Sequence, residues 1–163
     1  MKKNIINVND LEWQTSEHGQ FAYEDKQLAE AAGGEKLGAS LYRLMPGKKA
    51  FPYHFHYANE EAVFVLEGSG TLRRNDEMVP VTKGDYIAML VGEDHAHQII
   101  NTSDQPLVLL CFSTMIHPDV VEYPDSGKVG VTAGIAPGGD PEKILLRARF
   151  RKKDQVDYFE GES

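Results

Sequence analysis

Between positions 54 and 61 the chain reads HFHYANEE, which places two histidines one residue apart and two glutamates close behind them. The run that follows, AVFVLEG, is apolar and short, as a strand would be. In a strand alternate side chains share a face, so His54 and His56 point one way and Phe55 the other. Two imidazoles on one face, with a carboxylate nearby, can close on a single metal ion. The simpler alternative is a pair of surface histidines ahead of a hairpin.

The elements around this stretch must position it. From Leu37 onward, short apolar runs alternate with turn residues: LGASLYRLM, EAVFVLEG, GTLRR, EMVPVT, DYIAMLV, HQIINT and PLVLLCFST, separated by Gly, Pro, Asn and Asp. Strand-like runs at intervals of about eight to twelve residues predict an antiparallel β-sandwich or barrel. Before them, QLAEAA predicts a short helix stopped by Gly33 and Gly34. After Thr114 the chain loosens into VVEYPDSGKVGV, where EYPDSGKVGV reads as a structured turn, and then into AGIAPGGDPEK. ILLRARFRK offers one more strand.

Two clusters contain the candidate ligands. The first runs Gly47, six residues, His54-x-His56, four residues, Glu61, six residues, Gly68. The second contains Gly84, Gly92, His95 and His97, with three residues between His97 and Asn101. Together they resemble the two signature motifs of the cupin superfamily, G-x5-H-x-H-x3-4-E-x6-G and G-x5-P-x-G-x2-H-x3-N. Matched by position, His54, His56 and Glu61 take the family's first three ligand positions. His97 takes the fourth through its H-x3-N ending. Three departures accompany the match: one extra residue lies between Gly47 and His54, Leu90 stands at the proline position, and two extra residues precede His97. His95 keeps the family distance from Gly92 and is a rival fourth ligand. Strand alternation favours His97, which shares a face with Ile99 and Asn101. Glu60 is also at a permitted distance from His56, but Glu61 alone keeps the six-residue step to Gly68.

The resemblance covers residues 38–114 and implies an all-β double-stranded β-helix, a jelly-roll barrel. The chain then divides into that core, an N-terminal arm (1–37) and a C-terminal arm (115–163), all within one cupin domain. It also implies one divalent transition-metal ion per chain. Three neutral imidazoles and a carboxylate suit Fe, Mn, Zn, Ni or Co without distinguishing them. Within this family the resemblance points to sugar or sugar-phosphate isomerase-like proteins, with metal-assisted isomerisation of a small-molecule substrate. A general base is also needed, and Glu60, His95 or a tyrosine are the candidates. The same ligands would serve an Fe(II)-dependent dioxygenase, and a binding module without turnover is a third reading. The family commonly forms homodimers, and a homodimer is expected here.

The bulk numbers bound these readings. The chain of 163 residues is long enough to bury a core in one domain. A formal net charge of -8 argues against nucleic-acid binding, which needs a basic face. The one dense basic cluster, Arg147, Arg149, Arg151, Lys152 and Lys153, reads as a solvated strand face. Cys111, the single cysteine, lies among apolar residues and reads as a core residue. No stretch has the apolar length of a membrane span or the pattern of a secretory signal, so a cytoplasmic address is expected.

Overall fold

The computed structural model describes residues 4–136 and 141–162. Residues 137–140 of the Gly/Pro-rich AGIAPGGDPEK stretch lie outside the described residues. The strands are β1 (Gln14–His18), β2 (Phe21–Gln27), β3 (Leu37–Leu44), β4 (Phe55–His56), β5 (Glu61–Glu67), β6 (Ser69–Arg74) and β7 (Glu77–Thr82). They continue with β8 (Tyr86–Met89), β9 (His97–Ile100), β10 (Leu107–Thr114), β11 (Asp119–Tyr123), β12 (Lys128–Ala133) and β13 (Leu146–Arg151). One short helix, α1 (Leu28–Ala32), follows β2. It ends where the sequence predicts, on Gly33, whose φ of 83° lets its N–H close the last turn onto Ala29 and Glu30.

Every strand pair is antiparallel, and the strands form two facing layers. One layer runs β1-β2-β3-β10-β5-β8. The other is assembled from β7-β6-β9 and β13-β12-β11-β4. Bridges Lys49↔Ile100 and His54↔His97 stitch these two pieces together along residues 49–54. The antiparallel β-architecture is the one expected from the strand rhythm, and the fold is the all-β jelly roll that the cupin resemblance implies. No helix among the described residues is long and apolar enough to cross a membrane.

Alternation decides what faces inward. On β5, Val63 and Val65 are buried, and Glu61 shares their face by the two-residue period. They pack with Leu44, Leu72, Met89, Ile99, Leu107 and Leu109 into the core between the layers. Cys111 packs against this core as expected, and its burial pushes the thiol pKa well above the ordinary range.

Four strands were not legible as strands in sequence. β1 and β2 lie in the mixed N-terminal arm, where charged residues interrupt the alternation. β11 and β12 form a hairpin where a loosened chain is expected, although its Pro124–Ser126 turn, closed by Gly127, is the structured turn read from EYPDSGKVGV. Both pairs extend the barrel layers, so tertiary pairing supplies what local pattern lacks.

Candidate metal centre

β4 is only two residues long, yet its placement decides the site. The chain from Tyr53 to His56 lies between β9 and β11. His54 and His97 exchange backbone hydrogen bonds at 3.1 and 2.8 Å, and His56 pairs with Val121. The imidazoles of His54 and His97 therefore sit side by side, with centroids 4.6 Å apart, and that of His56 lies 5.2 Å from His54. Glu61, opening β5 in the opposite layer, projects into the group. Its Oε2 lies 3.8 Å from His54 Nε2, 3.4 Å from His56 Nε2 and 3.1 Å from His97 Nε2.

The outer nitrogens are all engaged. His54 Nδ1 donates to the Pro52 carbonyl (2.8 Å), His97 Nδ1 to the His95 carbonyl (2.9 Å) and His56 Nδ1 to Asp119 Oδ2 (2.6 Å). Each bond fixes the ring and turns Nε2 toward Glu61, as the outer partners of metal-bound histidines do. Three Nε2 atoms facing one carboxylate make a donor-rich cluster with no cationic side chain among them. Such a donor set fits a divalent cation, and His54, His56 and Glu61 present ligand atoms all within 4.8 Å of one another. His97, whose Nε2 lies 3.1 Å from Glu61 Oε2, is the fourth donor at the same place.

Electrostatics follow from this packing. Burial, reinforced by His97 and His56, holds His54 down at about 4 against the pull of Glu61. Burial alone would raise the Glu61 carboxyl. The hydrogen bond with His97 and the charges of the three histidines outweigh it and hold Glu61 at about 2. For His56, burial works to lower the pKa, but the bond to Asp119 and the Glu61 charge prevail and raise it.

The cluster forms part of the wall of a cavity of about 1110 Å³, open to solvent. The opposite wall carries Tyr23, Gln27, Ser40 and Tyr42, with Ser40 Oγ donating to Gln27 Oε1 (2.8 Å). Of the residues singled out from sequence, His54, His56, Glu61 and His97 come together here. Glu60 is exposed in the loop ahead of β5, and His95 is half-buried in the 3-10 turn before β9. Neither lines the cavity. Asn101, at the end of the second motif, is wholly buried and structural: its amide donates to Leu44 O and Gln105 O, pinning the turn after β9.

Sequence reasoning missed Asp119, which is fully buried and also accepts from Ala58 N–H. It also missed Tyr123, stacked on His54 with centroids 6.1 Å apart, and His117 at the cavity rim. All three lie past the motif region in a segment without local signature. Only the alternation of DVVEY, had it been taken as a strand, placed Asp119 and Tyr123 on one face.

Residues 40–113 match the Cupin domain family. The chain carries a cupin domain. A solved structure similar to it is a putative sugar phosphate isomerase from Acidithiobacillus ferrooxidans, 26% identical, with a TM-score of 0.80 over 95% of this chain and 96% of that one. A cupin-superfamily sugar phosphate isomerase from Silicibacter pomeroyi is 25% identical, with a TM-score of 0.75 over 92% and 94% of the two chains. An uncharacterized protein of Methanocaldococcus jannaschii is 38% identical over 60 residues, 37% of this chain and about half (46%) of its own length. The likeness to the two solved structures extends well beyond the residues matched by the cupin family, to 95% and 92% of this chain.

Proposed function

We propose that this cupin is a metal-dependent enzyme that isomerises a small sugar or sugar-phosphate-like substrate. One observation carries the reading: three imidazole Nε2 atoms and the Glu61 carboxylate converge on the wall of an open cavity large enough for a sugar. The likeness to two sugar phosphate isomerases over nearly the whole chain supports the substrate class.

His54, His56, Glu61 and His97 would hold one divalent transition-metal ion. When bound, such an ion polarises a carbonyl or hydroxyl as a Lewis acid. The chain itself then has to orient the substrate and move a proton between adjacent carbons. Tyr42 faces the cavity, and burial, aided by Cys111, Asp25 and Tyr23, pushes its pKa far up, so its hydroxyl stays protonated and acts as a donor. Gln27 and Ser40, bonded to each other on the same wall, supply polar groups for substrate hydroxyls. Glu60 and His95 lie outside the cavity lining, which leaves Tyr23 and Tyr123, not the firmly protonated Tyr42, as the candidates to take the proton.

The test combines metal analysis with turnover. Protein loaded with each candidate ion is incubated without oxygen with aldose and ketose phosphates, and interconversion is followed by NMR. Aldose–ketose or epimer formation is the expected result. Oxygen consumption with Fe(II) and no anaerobic product would replace this reading with an oxygenase, and binding without any product would replace it with a non-catalytic module.

A further inference from the structure

The basic run RARFR on β13 keeps Arg147, Arg149 and Arg151 exposed, as a solvated strand face does, and two of these arginines also border a pocket. Cross-strand partners share a face of a sheet, and the register places His56, Val121, Gly130 and Arg149 in one row across β4, β11, β12 and β13. Arg149 therefore projects from the same face as the His56 imidazole, three strands away, a backbone separation of about 14 Å at ~4.8 Å per strand. Arg147 and Arg151, two residues to either side, share that face, and Phe150 and Ala148 take the other.

A small side pocket of about 150 Å³ opens on this row. Val121, Tyr123, Gly130, Thr132, Arg147 and Arg149 line it. Val121, Tyr123 and Arg149 also line the large cavity that contains the histidines, so the two spaces share a wall. Gly130 is what leaves the room. A Cβ there would reach only ordinary contact, 3.5 Å from Tyr123 and 3.6 Å from Arg149, so the pocket floor is bare backbone flanked by an aromatic ring and an arginine stem.

The charges in this pocket are uncompensated. Arg43, Arg73 and Lys152 pair with Glu24, Asp125 and Glu122. Among the described residues, no carboxylate lies within ion-pair distance of Arg147 or Arg149. In a chain of net charge -8, two unpaired guanidinium groups beside a hydroxyl-bearing pocket form a local site for an anion. Guanidinium forks match the oxygen geometry of phosphate bidentately.

We propose that Arg149 and Arg147, with Thr132 and Tyr123, form the anchor for the phosphate of a phosphorylated substrate whose sugar end lies at the His54–His56–Glu61–His97 cluster. This deepens the isomerase reading and rests on it for the sugar end, but the anchor itself is independent of metal. Gly130 keeps the small pocket open, and Tyr123, which lines both spaces and stacks on His54, forms their common wall.

Binding of inorganic phosphate and of a panel of aldose and ketose phosphates, each beside its unphosphorylated sugar, is measured by calorimetry on metal-stripped protein. The expected result is phosphate-dependent binding that weakens at least tenfold in Arg149→Ala and is partly retained in Arg149→Lys. Gly130→Val, which keeps both charges and fills the pocket, should abolish it while its melting temperature shows a folded protein. Equal affinity for phosphorylated and plain sugars, or wild-type affinity in Arg149→Ala, overturns the anchor. Metal content and anaerobic turnover of the same preparations report on the isomerase reading separately: phosphate binding without turnover would sink that reading and leave the anchor standing.

Discussion

His56 Nδ1 donates to Asp119 Oδ2 at 2.6 Å, across 63 positions of sequence, and Asp119 has no exposed surface at all. The carboxylate fixes the imidazole so that Nε2 faces Glu61. Its charge, reinforced by the bond to His56 and by the Ala58 N–H, stays ionised even though burial opposes it. Outer partners of this kind typically tune metal affinity by about 10–100-fold. Asp119→Asn should therefore lower the affinity for the bound ion by about that factor without emptying the site at saturating metal. Competition against a chromophoric chelator measures it, and unchanged affinity would remove Asp119 from the metal centre.

The two histidines of the second cluster should separate cleanly. His97→Ala removes an imidazole that lies 3.1 Å from Glu61, and purified variant should lose most of the one ion per chain expected for the wild type. His56→Ala should do the same. His95→Ala deletes a side chain outside the cavity and leaves its carbonyl, the acceptor for His97, in place. It should keep the ion. Elemental analysis of the three variants after identical purification checks this, and an empty site in His95→Ala alone would reverse the ligand assignment.

Stability of metal-stripped protein should fall as acid is added. The ordinary histidine value is 6.5 and that of His54 in the fold is about 4. Above pH 6.5 both states leave it neutral. Between 6.5 and 4 the unfolded chain takes up a proton that the folded protein refuses, so stability declines as pH falls through that window. His56, whose value is raised, works in the opposite sense and softens the decline. Denaturant melts at pH 7 and pH 4.5 should show the wild type losing on the order of 2 kcal/mol more than His54→Gln. Parallel pH profiles for the two proteins would refute the burial argument.

Two motif glycines should differ in their tolerance of alanine. Gly84 has a φ of 98° but open space around an added Cβ, so Gly84→Ala should cost roughly 1 kcal/mol of backbone strain. Gly68 has a φ of 81° and would place its Cβ 2.4 Å from the Pro106 carbonyl, which is backbone and cannot swing aside. Gly68→Ala should cost at least about twice as much, because a steric clash adds to the strain. Urea denaturation of both variants gives the comparison.

The chain should associate into a homodimer. Beyond β13 the arm exposes Val156, Tyr158 and Phe159, the last two at 87% and 71%, after Leu145 at 85%. Apolar residues this exposed and this close in sequence usually await a partner surface, and β13 is an edge strand that leaves backbone groups unpaired. Light scattering at micromolar concentration should report twice the chain mass, and deletion of residues 155–163 should reduce it. A monomer under those conditions would set the expectation aside.

Much of the site is determined locally. The HxH spacing, read as a strand, is enough to put His54 and His56 on one face, and the period of two behind it turns Glu61, Val63 and Val65 inward together. The turn residues between the apolar runs from Leu37 to Thr114 likewise suffice for an antiparallel barrel, because each run is too short and too β-rich to pack otherwise. Choosing His97 from two histidines also follows from alternation with Ile99 and Asn101. What these local rules cannot reach is pairing at long separation. Asp119 meets His56, Tyr123 stacks on His54, and Arg149 enters the same row only because β11, β12 and β13 add to the sheet beside β4. β13 is legible as a strand, but its place in the His56 row is not, and β1, β2, β11 and β12 are short and interrupted by charged residues. Inward polar residues such as Asp119 and Tyr123 are stable there because, beside the apolar core, this part of the sheet borders a cavity and a cluster of donors. That exchange of hydrophobic pattern for chemistry made β11 and β12 illegible in the sequence, and tertiary packing alone decided where they lie.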